Sequence, residues 1–178
     1  VKISLLKHII YYLTNDTKKL FYNAYILPTF DYCCTVWGKD NKSYINKVVI
    51  LQKRIGKIIL NKPKRASTVD LFQELKWLTF TDRCRYHAAV LTYKTINSMA
   101  PPYMSKLLTL AKNSSYNLRS ASNKDIVLTT TPRTNYVKDT FLYYSMNIWN
   151  NIPLNIRHQK DLKSFKKLVK SYLLKSDI

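Results

Sequence analysis

The sequence predicts a mainly α protein: a small helical bundle, then a helical C-terminal region with one extended, possible β segment. Three observations predict it. The chain holds only two glycines, Gly38 and Gly56, and neither sits in the two-residue turns that join β-hairpins. Apolar residues recur with a helical period in several long stretches. The apolar fraction of 46% and aromatic fraction of 13% give the chain enough surface to bury that it should fold rather than behave as a basic tail. The 178 residues suit one domain or two small ones. We place a first helical region at 1–66 and a second at 67–178, the latter with a polar extended segment at about 112–136.

In chain order, Thr14-Asn15-Asp16 supplies side-chain acceptors for a helix start. Leu20, Phe21, Ala24 and Leu27 follow at helical spacing until Pro28 interrupts the ladder, and a further turn runs to Trp37 with Gly38 as its stop. From about Lys42 to Leu60, Ile45, Val48, Val49, Gln52, Ile55, Ile58 and Ile59 share one face, and Lys47, Lys53, Arg54 and Lys57 gather opposite. Every charge from Lys42 to Arg65 is positive, with no carboxylate four residues away to pair with. A solvated amphipathic surface would explain the spacing alone; the unbroken sign favours a phosphate-facing strip. The loop with Lys62, Lys64 and Arg65 extends that strip or serves as a nuclear-localisation patch.

Ser67 or Thr68 caps a short helix through Leu71, Phe72 and Leu75 toward Trp77. Thr81-Asp82 caps another, with Ala88, Leu91, Thr92, Thr95 and Ile96 as its stripe, ended by Pro101-Pro102. The Thr- and Ser-rich stretch that follows carries a β-branched patch from Ile126 to Thr131, read as a loop with one strand. Helical periodicity returns from about Lys138 to Trp149, with Pro153 as the break. A last helix, from about Asp161 to Leu174, sets Leu162, Phe165, Leu168, Val169, Tyr172 and Leu173 on one side. Lys163, Lys166, Lys167 and Lys170 stand on another, a second basic strip.

Thirty Lys and Arg against ten Asp and Glu give a formal charge of +20. Such a surplus on a folded body points to phosphate, because cations that neutralise phosphates release condensed counterions. Three cysteines, two of them adjacent, suit a reduced intracellular compartment, nuclear or cytoplasmic, better than a disulfide framework. No signal or transit peptide is evident, and the start at Val1 reads as a fragment. The apolar stretch Leu20–Gly38 contains Asn23, Pro28 and Asp31, and an Asp inside a span costs roughly 2.5–3.5 kcal/mol. A membrane span is therefore not expected.

Catalytic chemistry finds little to work with. Two-metal phosphoryl transfer needs clustered carboxylates, whereas Asp31, Asp40, Asp70, Glu74, Asp82, Asp125 and Asp139 are scattered singly. Cys84 and His87 have the spacing of half a zinc site, but the second pair of ligands is missing, so they read as a buried Cys and a partly buried His. A Cys-His hydrolase lacks an orienting partner, and two isolated glycines make no phosphate loop. We expect no catalytic residue, metal or cofactor in this chain. The aromatics Phe21, Phe72, Phe165 and Tyr172 fall on apolar faces, so binding is assigned to cations, with sequence-independent backbone contact.

The run Ile26-Leu27-Pro28-Thr29-Phe30-Asp31-Tyr32-Cys33-Cys34-Thr35-Val36-Trp37-Gly38, followed by Leu51-Gln52-Lys53-Arg54-Ile55 and Ile58-Ile59-Leu60, resembles the region after the palm in reverse transcriptases of non-LTR (LINE-type) retrotransposons of the jockey and chicken-repeat sort. The resemblance continues through Leu75-Lys76-Trp77-Leu78, Arg83, Pro102-Tyr103-Met104, Tyr116-Asn117-Leu118-Arg119-Ser120, Trp149-Asn150-Asn151-Ile152-Pro153 and Phe165-Lys166, nearly the whole chain. It implies the thumb and C-terminal portion of an RNA-directed DNA polymerase. The family's Tyr-x-Asp-Asp aspartates, with their magnesium, would belong to a palm upstream. It implies RNA or an RNA–DNA hybrid as partner, together with that palm. Assigning the backbone grip to Lys47, Lys53, Arg54 and Lys57 is our inference from periodicity. Two other readings stand beside it: a stand-alone nucleic-acid-binding module without enzymatic activity, and a peripheral membrane protein using basic amphipathic helices.

Overall fold

The computed structural model describes residues 2–38, 42–110, 126–127, 133–138 and 140–176. They form a mainly α protein that divides into two compact units, Val1–Cys84 and Arg85–Ile178. Outside the described residues lie Asp40, Asp125, Asp139, the Tyr116–Ser120 motif and most of the expected polar segment. Among the described residues no helix is long and apolar enough to cross a membrane.

The first unit opens with α1 (Lys2–Ile9), a 3-10 turn at Ile10–Tyr12 and α2 (Asn15–Phe21). Thr14 caps α2 by accepting the Thr17 amide at 3.3 Å. A π-helical turn, Tyr22–Ile26, then leads into α3 (Leu27–Asp31). The widened turn comes just before Pro28, which has no amide to donate and whose ring would press on the carbonyl four residues back in a regular helix. It also rotates the helix. The expected stripe of Leu20, Phe21, Ala24 and Leu27 gives way to Tyr22 and Ile26 as the buried pair, leaving Leu20 and Ala24 exposed.

Helix α4 (Cys34–Trp37) follows Cys33, which is left-handed at φ 50°. Gly38 ends α4, but with a negative φ of −68°. What Gly38 supplies is room, because a Cβ there would overlap the Cys34 carbonyl oxygen and Cys84 Sγ. The long helix α5 (Lys42–Ile59) packs on α6 (Thr68–Leu75), and a Cβ at Gly56 would collide with the Leu71 side chain. One core gathers Leu6, Tyr22, Ile26, Ile55, Ile59, Leu71, Phe72 and Leu75. The first unit thus runs on past residue 66, because α6 supplies three residues of its core. A second cluster sets Cys34, Phe80 and Cys84 against Trp37, Ile45, Val48 and Val49.

Polar ties hold this unit in register. Gln52, buried on α5, donates to the Leu78 carbonyl at 2.9 Å and to the Tyr22 hydroxyl at 3.5 Å. Burial pushes the Tyr22 phenol up to about 12, so it stays neutral, and its ring stacks on Trp77 at 3.9 Å. Asp31, the lone charge in an otherwise apolar run, receives Arg83 Nε at 2.6 Å and Arg83 Nη2 in a two-pronged pair.

Helix α7 (Phe80–Ile96) gives its first turn to the first unit and the rest to the second. Its cap is Thr79 rather than the expected Thr81-Asp82: the Asp82 amide donates to Thr79 Oγ1 at 3.2 Å, and the Thr79 hydroxyl returns a bond to the Asp82 carboxylate. Nor do Pro101-Pro102 end it. α7 stops at Ile96, Ser98 turns left-handed at φ 56°, and Pro102 opens α8 (Pro102–Leu107), since a first-turn residue needs no amide donor.

In the second unit, β1 (Thr109–Leu110) pairs antiparallel with β2 (Ile126–Val127). Of the expected β-branched patch, Ile126–Val127 is therefore strand, and 128–131 lies outside the described residues. Asn150 grips both backbone groups of Ile126 at 3.0 Å. It stands on α10 (Phe141–Asn151), preceded by the short α9 (Asn135–Lys138) and followed by α11 (Leu154–Arg157). Last comes α12 (Leu162–Ser176), capped by Asp161, which accepts the Ser164 amide at 2.9 Å. Trp149, Tyr93 and Phe165 form the aromatic centre, Tyr93 stacking on Phe165 at 4.2 Å. Leu168, expected on the apolar side of α12, is 38% exposed; Phe165, Val169 and Leu173 make the buried face.

Candidate nucleic-acid interface

Helix α5 presents its cations because its other face is taken up by the core. Ile55 and Ile59 are fully buried, and Gln52 is tied to Leu78 and Tyr22, which fixes the rotation of the helix about its axis. At about 100° per residue, Lys53, Lys57, Arg54 and Lys47 then span about 120° of the opposite side. Lys47 and Arg54 are exposed, and Lys53 and Lys57 are half-buried along their stems. The stripe expected for the core is mostly inward, with Gln52, Ile55 and Ile59 buried and Ile45, Val48, Val49 and Ile58 half-buried.

Two of these cations have a fixed job. Lys57 Nζ donates to the Lys64 carbonyl, which ties the helix to the loop that follows it. Lys47 Nζ stands over the Tyr44 ring, 5.1 Å from its centroid. In the loop, Lys62 pairs with Glu74 at 3.4 Å, both half-exposed, so its charge is partly met within the protein. Lys64 and Arg65 are exposed beyond it. The structure thus brings Lys47, Lys53, Arg54, Lys57, Lys62, Lys64 and Arg65 to one helix and the loop that continues it.

In the second unit, Lys163, Lys166, Lys167 and Lys170 occupy about 100° of α12. Lys163, Lys167 and Lys170 are exposed, and Lys166 is half-buried. Phe165, Val169 and Leu173 hold the adjoining side in the core. Among the carboxylates, Asp31 is engaged with Arg83 and Asp82 with Thr79, whereas Glu74 meets Lys62 of the first strip and Asp161, bonded to Ser164, stands beside Lys163 of the second. The hydrogen bond donated by the Ser164 backbone N–H holds the Asp161 carboxyl below the usual carboxylate range.

Periodicity missed one residue on the cationic face of α5. Ile50, 59% exposed, lies out of phase with the buried stripe and among the cations, whereas Tyr44, equally exposed, is in step with Val48, Gln52 and Ile55 at the N-terminal end of that stripe. The signal was in the spacing: Ile50 does not fall in step with Val48, Gln52, Ile55 and Ile59, and an apolar side chain out of step on an amphipathic helix belongs to its outer face.

The chemistry of the thiols is quiet. Cys34 and Cys84 are buried and Cys33 is exposed. A hydrogen bond with Cys34 and burial both push the Cys84 thiol up, the opposite of an activated thiolate. Among the described residues no three potential metal-ligating side chains come together.

The fold and its outer faces define the class: a mainly α chain carrying two separate cationic helix faces. No family model, curated protein or solved structure matches it.

Proposed function

We propose that this chain is the thumb and C-terminal part of an element-encoded RNA-directed DNA polymerase of the non-LTR retrotransposon type. Its basic helices grip the backbone of the primer–template or template RNA. The observation that carries the reading is the α5 face, where Lys47, Lys53, Arg54 and Lys57 stand together with no carboxylate among them, continued by Lys64 and Arg65. The motif series that runs from Ile26 to Lys166 supports the polymerase assignment, and the partner is then RNA or an RNA–DNA hybrid together with the polymerase palm. Catalysis and its magnesium belong to that palm. This chain supplies grip.

Reversing Lys53, Arg54 and Lys57 to Glu tests the grip. Affinity for an RNA–DNA duplex should fall for every sequence alike, and the slope of log affinity against log salt should flatten by about 2–3, at roughly 0.7–0.9 for each phosphate no longer neutralised. An unchanged affinity and slope would remove α5 from the interface. Reading the coding sequence upstream separates the polymerase assignment from a stand-alone binding module. A continuous frame with a Tyr-x-Asp-Asp box supports the polymerase, and a start codon directly before Val1 with no such box supports the module.

A further inference from the structure

The loop between α5 and α6 holds a hydroxyl that the fold leaves unused. Ser67 stands directly before α6 and is exposed, and its side chain makes no capping hydrogen bond, although it occupies the position from which serine ordinarily caps a helix. The serines beside lysines in α12 are engaged instead: Ser164 Oγ donates to the Asp161 carboxylate at 3.2 Å, and Ser171 Oγ donates to the Lys167 carbonyl at 3.0 Å. Lys62, Lys64 and Arg65 lie five, three and two residues before Ser67, all exposed, with no carboxylate among them; Asp70 and Glu74 come after it. The segment is held in its turn by the Ala66 amide, which donates to the Pro63 carbonyl at 3.0 Å, and by Lys57 Nζ on the Lys64 carbonyl. Neither bond belongs to a helical ladder, so residues 63–67 can straighten while α5 and α6 stay packed.

We infer that Ser67 is the acceptor for a protein kinase whose substrate groove is acidic, and that the phosphate it gains loosens the hold of the α5 strip on nucleic acid. The acceptor stands on its own observations; the loosening rests on the proposed grip. Kinases select substrates by the charge pattern around the acceptor, and cations preceding an accessible hydroxyl match an acidic groove. In the transfer the Ser67 oxygen bonds to the γ-phosphorus of ATP as the bond to the β,γ-bridging oxygen breaks. ADP leaves, and the hydroxyl proton passes to the kinase's catalytic carboxylate. Phosphoserine carries about −1.5 to −2 charges at neutral pH. Two and three residues from Arg65 and Lys64, that charge neutralises cations that would otherwise meet nucleic-acid phosphates, and it repels the same backbone. Lys47, Lys53 and Arg54 belong to α5 itself and keep their charge, so the hold weakens without being abolished.

The test treats the full chain with ATP and a serine/threonine kinase that selects Arg or Lys two and three residues before its acceptor. Mass spectrometry maps the phosphate, and fluorescence anisotropy reads binding of an RNA–DNA hybrid across salt concentrations. Phosphate should appear at Ser67, and replacing both cations, Lys64→Ala with Arg65→Ala, should slow its incorporation about tenfold. The phosphorylated chain should bind the hybrid about tenfold more weakly at about 0.1 M salt, with a salt slope flatter by about 1, the share of one lost phosphate contact. Ser67→Ala should bind as the unaltered chain does and be unmoved by kinase treatment, since the side chain makes no capping bond. No incorporation at Ser67, or incorporation unaffected by loss of both cations, would overturn the acceptor. Phosphate at Ser67 with affinity and slope unchanged would overturn the loosening and leave the grip standing. If the unmodified chain binds the hybrid without salt dependence, the grip itself fails and the loosening with it, while labelling of Ser67 still decides the acceptor.

Discussion

Helices α5 and α12 carry the same pattern, an apolar stripe opposed by lysines, yet they offer different surfaces. The α12 face is plain: four lysines within one arc, behind a cap made by Asp161. The α5 face is composite. It has one cation over an aromatic ring, one bonded to the backbone of the next loop, one exposed apolar group, Ile50, among the charges, and a loop that prolongs the positive surface. Periodicity alone sorts core from surface on both helices. What makes one face a candidate for shaped recognition and the other for diffuse attraction is the set of contacts its cations make.

The largest expected effect concerns anchoring. Phe165→Ala removes a fully buried ring that stacks on Tyr93, and should lower stability by about 3–5 kcal/mol in chemical unfolding, disordering the α12 strip with it. A loss below about 1 kcal/mol would mean that α12 is not held by its apolar face. On the first unit, Arg83→Ala removes the two-pronged partner of Asp31. A fully buried pair would cost about 3–5 kcal/mol, but with side chains 17% and 21% exposed, water should reduce the loss to about 2 kcal/mol. An unchanged unfolding midpoint would show that the pair contributes nothing net.

Next in size, Gly38→Ala crowds Cys84 and the Cys34 carbonyl and should cost about 1–3 kcal/mol, with no matching change at α12. The smallest effect is pH-dependent and belongs to α12. The depressed Asp161 carboxyl contributes stability that is present above its unfolded pKa and lost as pH falls through its lower folded value. Asp161→Asn should therefore lower the melting temperature at neutral pH and converge with the unaltered protein in acid. Parallel melting curves at all pH values would dismiss the cap.

How much of this was legible in the sequence follows from the range of each interaction. The α5 and α12 strips, the α6 core residues and the Thr14 cap depend on neighbours within a few positions, and spacing revealed them. The Asp31–Arg83 pair joins residues 52 apart, and Asn150 reaches 24 residues to Ile126, so no local pattern exposes either. The π-helical turn before Pro28 shifted the buried face by one position, a consequence of relieving one steric clash that a regular period cannot anticipate. Several residues that carry the family resemblance prove to be structural: Asp31, Gln52, Trp77, Arg83, Trp149 and Asn150 bury or tie elements together. Of the α5 cations, only Lys53 and Arg54 belong to that motif series.

Acetylation of lysines in the full chain, read by mass spectrometry with and without an RNA–DNA hybrid, tests the central claim most directly. Lys7, Lys76 and Lys106 are exposed but lie off both strips and serve as internal references. Binding should protect Lys47, Lys53, Lys163, Lys167 and Lys170 and leave the three references reacting as before, with protection fading as salt rises. Equal protection of all these lysines, or protection of the references alone, would contradict a grip through the two basic helices.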